Sequence, residues 1–296
     1  MEMLVGTSDM MAELAGDSLL DFFRRMEREL SGGDSAFATD KSRTSFVEHM
    51  IAVYWDYFVD YETGRANFES EEFIALLEVA RLLEEEDSHE IHPDILIGAR
   101  GEGFTFLTLD VLRRLETMAT MLQLDHVAAG FPNAGNGQPR IVMRPRYLFA
   151  VSAHTENVET AWQFLRTFYE DIELNRRQQF PIDREAFSSL ERWHASILDE
   201  WYLPENFIPT SGGYYIDEFG QEQEFIVPRI PLAEAKGITG EVKELIEQVN
   251  SVFFYDPIVF NFIHEELPAF FHGNRTAEET GRILQNWVST YLAEMR

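Results

Sequence analysis

The 296-residue chain contains no cysteine, and this absence removes several kinds of chemistry at once. Without a thiol there is no disulfide bridge, no thiolate nucleophile and no cysteine-ligated zinc. Basic residues are also scarce: 24 Lys and Arg stand against 52 Asp and Glu, a net charge of −28. A field of that sign repels nucleic acid and anionic lipid headgroups, so we expect no nucleic-acid partner.

Long apolar runs are missing as well. No stretch approaches the roughly 18 consecutive apolar residues of a membrane-spanning helix. The N-terminal segment MEMLVGTSDMMAEL carries an early Glu2 and lacks the basic and apolar regions of a signal peptide. Hydrophobic residues still make up 45% of the chain and aromatic residues 13%, which is enough for a sizeable core.

Helical periodicity alternates with a few short apolar stretches. Helices are predicted for residues 11–30, 43–58, 70–83, 157–170 and 240–251, and after a capping box that begins at Thr276. Strands are predicted for residues 103–109 and 146–153, and a hairpin within YYIDEFGQEQEFIV (214–227). This mixture indicates a helix-rich α/β protein.

Motifs of catalysis and metal binding do not emerge. In HEIH (89–92) the histidines are three residues apart, whereas a zinc-binding helix needs four, and Pro93 follows directly. No nucleophile elbow, P-loop or dinucleotide fingerprint is found, and NAGNGQ (133–138) is not followed by a helix start that would cradle a phosphate. We therefore predict a non-enzyme with no catalytic residue, no metal site and no cofactor.

Aromatic residues beside polar ones have the chemistry of sugar recognition. A ring can stack on the apolar face of a pyranose while carboxylates and amides bind its hydroxyls. Each such ring taken alone is more typical of a core position, and as a set they only permit a carbohydrate ligand. The candidates are Tyr54, Trp55, Tyr57, Tyr147, Trp201 and Tyr202.

Five segments in a fixed order resemble the family 1 bacterial extracellular solute-binding proteins, the sugar-capturing components of ABC importers. They are VDYETGRANFESEEFIALLEVARLL (59–83), GARGEGFTFLTLD (98–110), GFPNAGNGQPRI through AVSAHTENVETAWQFLRTFYE (130–170), FPIDREAF (180–187) and IVFNFIHEELPAFFHGNRTAEETGRILQNWVSTYLAE (258–294). Together they run through residues 10–295.

The resemblance implies a type II periplasmic-binding-protein-like fold with an incomplete two-lobe architecture. Residues 1–142 would begin the C-terminal lobe, 143–190 would be an excursion into the N-terminal lobe, and 191–296 would complete the C-terminal lobe. The chain departs from the family in having no signal peptide, no lipobox cysteine and no first strand-helix-strand unit. Most of the N-terminal lobe is therefore expected to be missing, as in a truncated member of this lipoprotein family.

The resemblance also implies the ligand, its site and the partners. A neutral sugar or oligosaccharide would sit between the lobes, and the permease subunits of an ABC importer would be the protein partners of a monomer outside the cytoplasm. The implied ligand-binding residues are Thr108, Asp110, Asn133, Tyr147 and Phe260, the last in a helix start that spans 256–260.

Two other classes of function stay open on the sequence. A carbohydrate-active hydrolase would need two catalytic carboxylates at a fixed separation, and 52 acidic residues make any one pair uninformative. An interaction module would use the acidic surface to bind a basic partner, and its association would weaken with salt.

Overall fold

The chain is a helix-rich α/β protein, as its sequence predicts. The computed structural model describes residues 1–32, 37–86, 103–108, 126–134, 138–145, 149–170, 212–216, 222–226, 240 and 243–295. The chain divides into two compact units. The larger unit comprises Glu2–Leu107, Leu124–Arg144 and Val249–Arg296, and the smaller comprises Met1, Thr108–Gln123 and Pro145–Gln248. The lobe boundaries expected from the resemblance stay a prediction.

Most of the described elements belong to the larger unit. Its helices are α1 (Ser8–Leu14), α2 (Leu19–Ser31), α3 (Arg43–Val53), α4 (Trp55–Phe58), α5 (Glu71–Arg81), α7 (Pro257–Phe271) and α8 (Ala277–Glu294). Its strands are β1 (Glu2–Thr7), β2 (Phe37–Ala38), β3 (Val59–Asp60), β4 (Arg65–Ala66), β5 (Phe104–Thr108), β6 (His126–Ala129), β7 (Val142–Met143) and β10 (Ser251–Val252).

A six-stranded mixed sheet, counted over the described residues, lies at the centre of the larger unit. The strand order is β10-β7-β1-β5-β2, with β6 also paired to β1. β1 runs antiparallel to β6 and β7, whereas β10 runs parallel to β7. Met3, Leu4 and Val5 of β1 are all buried, as expected for a strand covered on both faces. The sequence does not predict β1, because so short an apolar run fits a helix or a strand equally well.

The helix predicted over residues 11–30 is wrong as a single element. α1 ends at Leu14, and α2 begins only at Leu19, where the hydroxyl of Ser18 accepts a hydrogen bond from the backbone N of Asp21 at 3.1 Å. Arg25 ties the corner together by donating to Asp17 at 2.8 Å and to Glu13 at 3.0 Å. The cap at Ser18 therefore accounts for the break between the two helices, although the apolar periodicity continues across it.

Two predicted helix starts are confirmed. The hydroxyl of Ser70 caps α5 by accepting from the backbone N of Phe73. At the start of α8, Thr276 and Glu279 form the complete reciprocal capping box. The helix predicted over residues 43–58 is interrupted at Tyr54, between α3 and α4.

The described part of the smaller unit contains α6 (Val158–Glu170) and the strands β8 (Gly212–Ile216) and β9 (Glu222–Ile226). α6 confirms the helix predicted over 157–170, and the β8–β9 pair confirms the predicted hairpin. The strand predicted over 146–153 is wrong for residues 149–153, which form no strand. Phe149 there is 43% exposed, so its apolar character does not mark a buried strand.

Candidate ligand-binding surface

Aromatic side chains form a partly exposed surface beside the start of α7. Tyr61, Phe254 and Tyr255 expose 36%, 38% and 52% of their surface, and Trp55, only 6% exposed, packs against the first two. The ring centroid of Trp55 lies 5.2 Å from that of Phe254 and 6.2 Å from that of Tyr61. Tyr255 stacks on buried Phe260 with centroids 4.2 Å apart. We call Trp55, Tyr61, Phe254 and Tyr255 the aromatic face.

Asp256 holds the elements of this surface together. Its Oδ1 accepts hydrogen bonds from the backbone N of Ile258 at 2.8 Å and of Val259 at 3.4 Å, which caps α7. Its Oδ2 accepts from the hydroxyl of Tyr61 at 2.5 Å and from that of Tyr291 on α8 at 3.1 Å. One carboxylate thus fixes the helix start, the β3–β4 turn that carries Tyr61, and α8 relative to one another.

The tyrosine hydroxyls of this region remain protonated. Burial raises the pKa of Tyr61, and the hydrogen bond to Asp256 raises it further. Burial and then Asp256 raise the pKa of Tyr291, and burial and the charge of Glu48 raise that of Tyr255. These groups are therefore hydrogen-bond donors at neutral pH. Tyr61 donates within the protein, which fixes its ring, while the half-exposed Tyr255 presents its ring and hydroxyl to solvent.

A buried arginine lies next to the aromatic face. Nη2 of Arg140 donates to Oδ1 of Asp56 and to the hydroxyl of Ser251, the latter at 2.5 Å. Asp56 follows Trp55 directly in α4, and Ser251 opens the strand that leads into Phe254. The guanidinium is stacked 5.3 Å from the ring centre of Tyr54. This contact and the two hydrogen bonds fix its orientation.

The backbone around Arg140 is held on both sides. Its N and O exchange hydrogen bonds of 2.6 and 2.7 Å with Phe131. Asn250 accepts from the N of Ile141 at 3.1 Å and donates to the O of Pro139 at 2.9 Å. Arg140 therefore projects from a segment that hydrogen bonds fix from two directions.

Of the five site residues predicted from the sequence, the structure describes the side chains of Asn133 and Phe260. Thr108 ends β5, and its side chain lies outside what the structure describes, as do Asp110 and Tyr147 entirely. The amide of Asn133 donates to the O of Gln138 at 2.8 Å across its loop. Phe260 is fully buried and contacts the aromatic face from below, through Trp55 and Tyr255.

The aromatic candidates divide in a similar way. Tyr54 is fully buried and donates to the O of Pro132 at 2.8 Å, and Tyr57 is half-buried against Phe58. Trp55 belongs to the aromatic face, whereas Trp201 and Tyr202 lie outside the described residues. Of the three rings that the structure describes, Tyr54, Trp55 and Tyr57, only Trp55 lies in this surface.

Sequence reasoning missed Tyr61, Phe254 and Tyr255, which make up the exposed part of the aromatic face. A signal for two of them is present in SVFFYDP (251–257), where aromatic residues directly precede an Asp-Pro helix start. Residues that precede a helix cap do not belong to the buried stripe of that helix. Aromatic residues at such positions can therefore remain exposed. Tyr61 carries no comparable signal.

Away from the aromatic face, an open groove of about 450 Å³ lies between the ends of α5 and α7 and the start of α8. Its polar lining includes Glu78, Arg81 and Glu278. Burial raises the pKa of Glu78, Arg81 lowers it, and the charges of Glu27 and Glu278 raise it again. At the helix start that faces this groove, the capping box already uses the backbone amides of Thr276 and Glu279, and Glu78 and Glu278 add negative charge that disfavours an anion.

Metal-binding and membrane-spanning features do not occur in the described residues. No group of three or more His, Asp or Glu side chains there could hold a metal ion, and HEIH (89–92) lies outside the described part. Within the same residues, no helix is long and apolar enough to cross a bilayer.

No protein-family model matches the sequence, and comparison with curated protein sequences gives no match. Among solved structures, the chain is similar to an ABC transporter solute-binding protein from Thermotoga lettingae TMO, crystallised with alpha-D-tagatose. The TM-score is 0.47 and the identity 11%, over 98% of this chain and 70% of that chain. The function proposed below therefore rests on the residues of this chain.

Proposed function

We propose that this chain binds a neutral sugar or oligosaccharide without chemical conversion, as the substrate-binding component of an ABC importer. The observation that carries the proposal is the aromatic face. Exposed rings that are anchored by buried rings and by a shared carboxylate form a rigid apolar platform, and sugar rings present apolar C–H faces to such platforms. Sites of this kind pair apolar surface with a few fixed polar groups.

The electrostatics support a neutral ligand. The whole chain carries a charge of −28, which disfavours anionic sugars and phosphorylated ligands. Beside the aromatic face, the negative charge of Asp56 is paired with the guanidinium of Arg140. Carboxylate, guanidinium and tyrosine hydroxyl groups together can bind the hydroxyls of a sugar as acceptors and donors.

The residues implied by the family resemblance belong to the same proposal. Thr108, Asp110, Asn133 and Tyr147 are proposed to contact the ligand, and Phe260 supports the ring of Tyr255 from below. Permease subunits of an importer are the proposed protein partners, and a location outside the cytoplasm goes with that role.

The proposal is tested by thermal unfolding with a panel of neutral sugars: D-glucose, D-galactose, D-mannose, D-fructose, maltose and cellobiose. A ligand that binds only the folded state stabilises it by about 2.7 kcal/mol at 100 times its Kd, so at least one sugar should raise the Tm measurably. Phe254→Ala and Tyr255→Ala should each weaken that sugar's binding about tenfold by calorimetry, because each ring would bury apolar surface of the sugar, and such burial stabilises a complex by about 25 cal/mol per Å².

Leu82→Ala is the matched control, since Leu82 is an exposed apolar residue at the end of α5 and not part of the aromatic face. It should leave the sugar affinity unchanged. A full panel without any thermal shift would contradict the proposal. Release of reducing ends from maltose or cellobiose would instead favour a hydrolase, and salt-sensitive capture of a basic protein without sugar binding would favour an interaction module.

A further inference from the structure

Asp56 is an exposed carboxylate held by a buried cation. Its side chain is 70% exposed, whereas that of Arg140 is 8% exposed. Within the described residues, Oδ1 of Asp56 is hydrogen-bonded to Arg140, and Oδ2 of this exposed side chain has no hydrogen-bond partner there. Most exposed ion pairs join two flexible side chains and fix neither of them. Here one partner is immobile, so the carboxylate has one preferred orientation.

A contribution to the stability of the fold does not explain well why Asp56 is paired with the buried Arg140. Burying a guanidinium costs free energy, and a pair with an exposed carboxylate compensates for little of it. In addition, Nε of Arg140 is buried without a hydrogen-bond partner among the described residues, a deficit of about 1–3 kcal/mol. What the arrangement does produce is an oriented, charge-balanced acceptor within one residue of Trp55.

We propose that Asp56 binds ligand hydroxyls at the edge of the aromatic face, and that Arg140 is the positioning residue that orients this carboxylate and balances its charge. This inference rests on the sugar-binding function proposed above and assigns its polar specificity. A balanced carboxylate accepts hydrogen bonds from hydroxyls without selecting a cation. Removal of Arg140 is therefore expected to raise the affinity for an amino sugar relative to the corresponding neutral sugar.

The first test compares Asp56→Asn, Asp56→Glu and the control Glu69→Gln, an exposed carboxylate outside the aromatic face. Titration calorimetry is carried out with the panel sugar that gives the largest thermal shift. Asp56→Asn should weaken binding about 10- to 100-fold, because hydrogen bonds to charged groups contribute about 1.5–3 kcal/mol. Asp56→Glu keeps the charge but moves it by one methylene, and it should weaken binding about tenfold. Glu69→Gln should unfold at the wild-type Tm, whereas each Asp56 variant alters the ion pair of the buried guanidinium and is therefore titrated well below its own Tm.

The second test separates positioning by Arg140 from a purely structural role. Arg140→Lys keeps the charge without the planar fork, and Arg140→Gln removes both. Each should weaken sugar binding in the wild-type background and have no further effect in the Asp56→Asn background, because the two residues act as one unit. Arg140→Gln should also raise the affinity for D-glucosamine relative to D-glucose, since Asp56 then carries an unbalanced charge.

The outcomes distinguish this inference from the proposed function. If wild-type protein binds no panel sugar, the sugar-binding function itself is contradicted. If wild-type protein binds a sugar and Asp56→Asn binds it equally well, Asp56 is not a ligand-binding group and this inference is overturned. Should Arg140→Gln not fold, Arg140→Lys decides the positioning role: wild-type sugar affinity of Arg140→Lys overturns it.

Discussion

Replacement of Gly281 by alanine should destabilise the larger unit by about 1–3 kcal/mol, the range of an overpacked core position. This sign is the reverse of the usual effect, because alanine in a helix interior is favoured over glycine by about 1 kcal/mol. The reason is contact with backbone. A Cβ at Gly281 on α8 would lie 2.4 Å from the carbonyl O of Phe68 and 3.4 Å from Cδ1 of Ile74.

The carbonyl of Phe68 has little freedom to move away. One helical turn after Gly281, Gln285 accepts from the backbone N of Phe68 at 2.7 Å and donates to the O of Ala66 at 2.8 Å. The ring of Phe68 is fully buried, with its centroid 5.1 Å from that of Phe73. Relief of the clash therefore requires a shift of α8 away from the segment between β4 and α5.

Urea unfolding of Gly281→Ala should show a lower midpoint with an unchanged slope. The matched control is Gly32→Ala, because Gly32 ends α2 in right-handed helical geometry and an added Cβ would meet its neighbours only at 3.5 Å. That variant should be as stable as wild type or slightly more stable. Equal or greater stability of Gly281→Ala would contradict the close packing of α8 on Phe68.

The fold could be predicted from the sequence where its determinants are local. Ser70 and Thr276 identify the starts of α5 and α8 because a cap and the helix it opens lie within a few residues. Ser18 caps α2 in the same way and separates it from α1. The apolar periodicity continues past Ser18, however, and it predicts one helix in place of two. Sheet order has no such local signal: Glu2 of β1 pairs with Val142, and no pattern near either residue indicates the other.

The candidate site was predictable only in its chemistry. Aromatic and carboxylate residues permit a sugar ligand, yet composition does not tell an exposed Phe254 from a buried Phe260 six residues later. Arg140 and Asp56 are 84 positions apart in the chain. Asp56 is one of 52 acidic residues, and nothing in the sequence distinguishes it until the fold brings Arg140 next to it. The exposure of Phe254 and the pairing of Asp56 with Arg140 both depend on contacts between distant parts of the chain, and no short segment contains that information.

A large effect is also expected when the protein is acidified, and its origin is His49 on α3. The imidazole is buried, with its centroid 5.3 Å from that of Phe106 and 5.6 Å from that of Phe253. Burial lowers its pKa well below the usual value, and the charges of Lys41 and Arg144 lower it further. Among the described residues, the group of opposite sign that forms an ion pair with His49 is Glu2, 3.9 Å from Nε2, but it is already paired with Arg144 at 3.1 Å.

The direction of the pH effect follows from proton linkage. In the unfolded chain a histidine binds its proton near pH 6.5, whereas folded His49 stays neutral to a much lower pH. Below about pH 6.5 the unfolded state therefore binds one more proton than the folded state at this site, and stability falls as the pH decreases. The loss approaches about 1.4 kcal/mol per pH unit and continues down to the pKa of the folded protein. Above pH 6.5 this group contributes no pH dependence.

The contribution of His49 is isolated by comparing wild type with His49→Leu, which keeps an apolar side chain of similar size among the same rings. Urea unfolding between pH 7.5 and 4.5 should show that the stability of wild type relative to His49→Leu falls steadily below about pH 6.5. His272→Leu is the control, because His272 is exposed at the end of α7 and meets water in both states. A wild-type curve parallel to that of His49→Leu would mean that His49 is protonated in the folded protein, with Glu2 as its counter-ion. The acid sensitivity would then have to arise from the carboxylates and the other seven histidines.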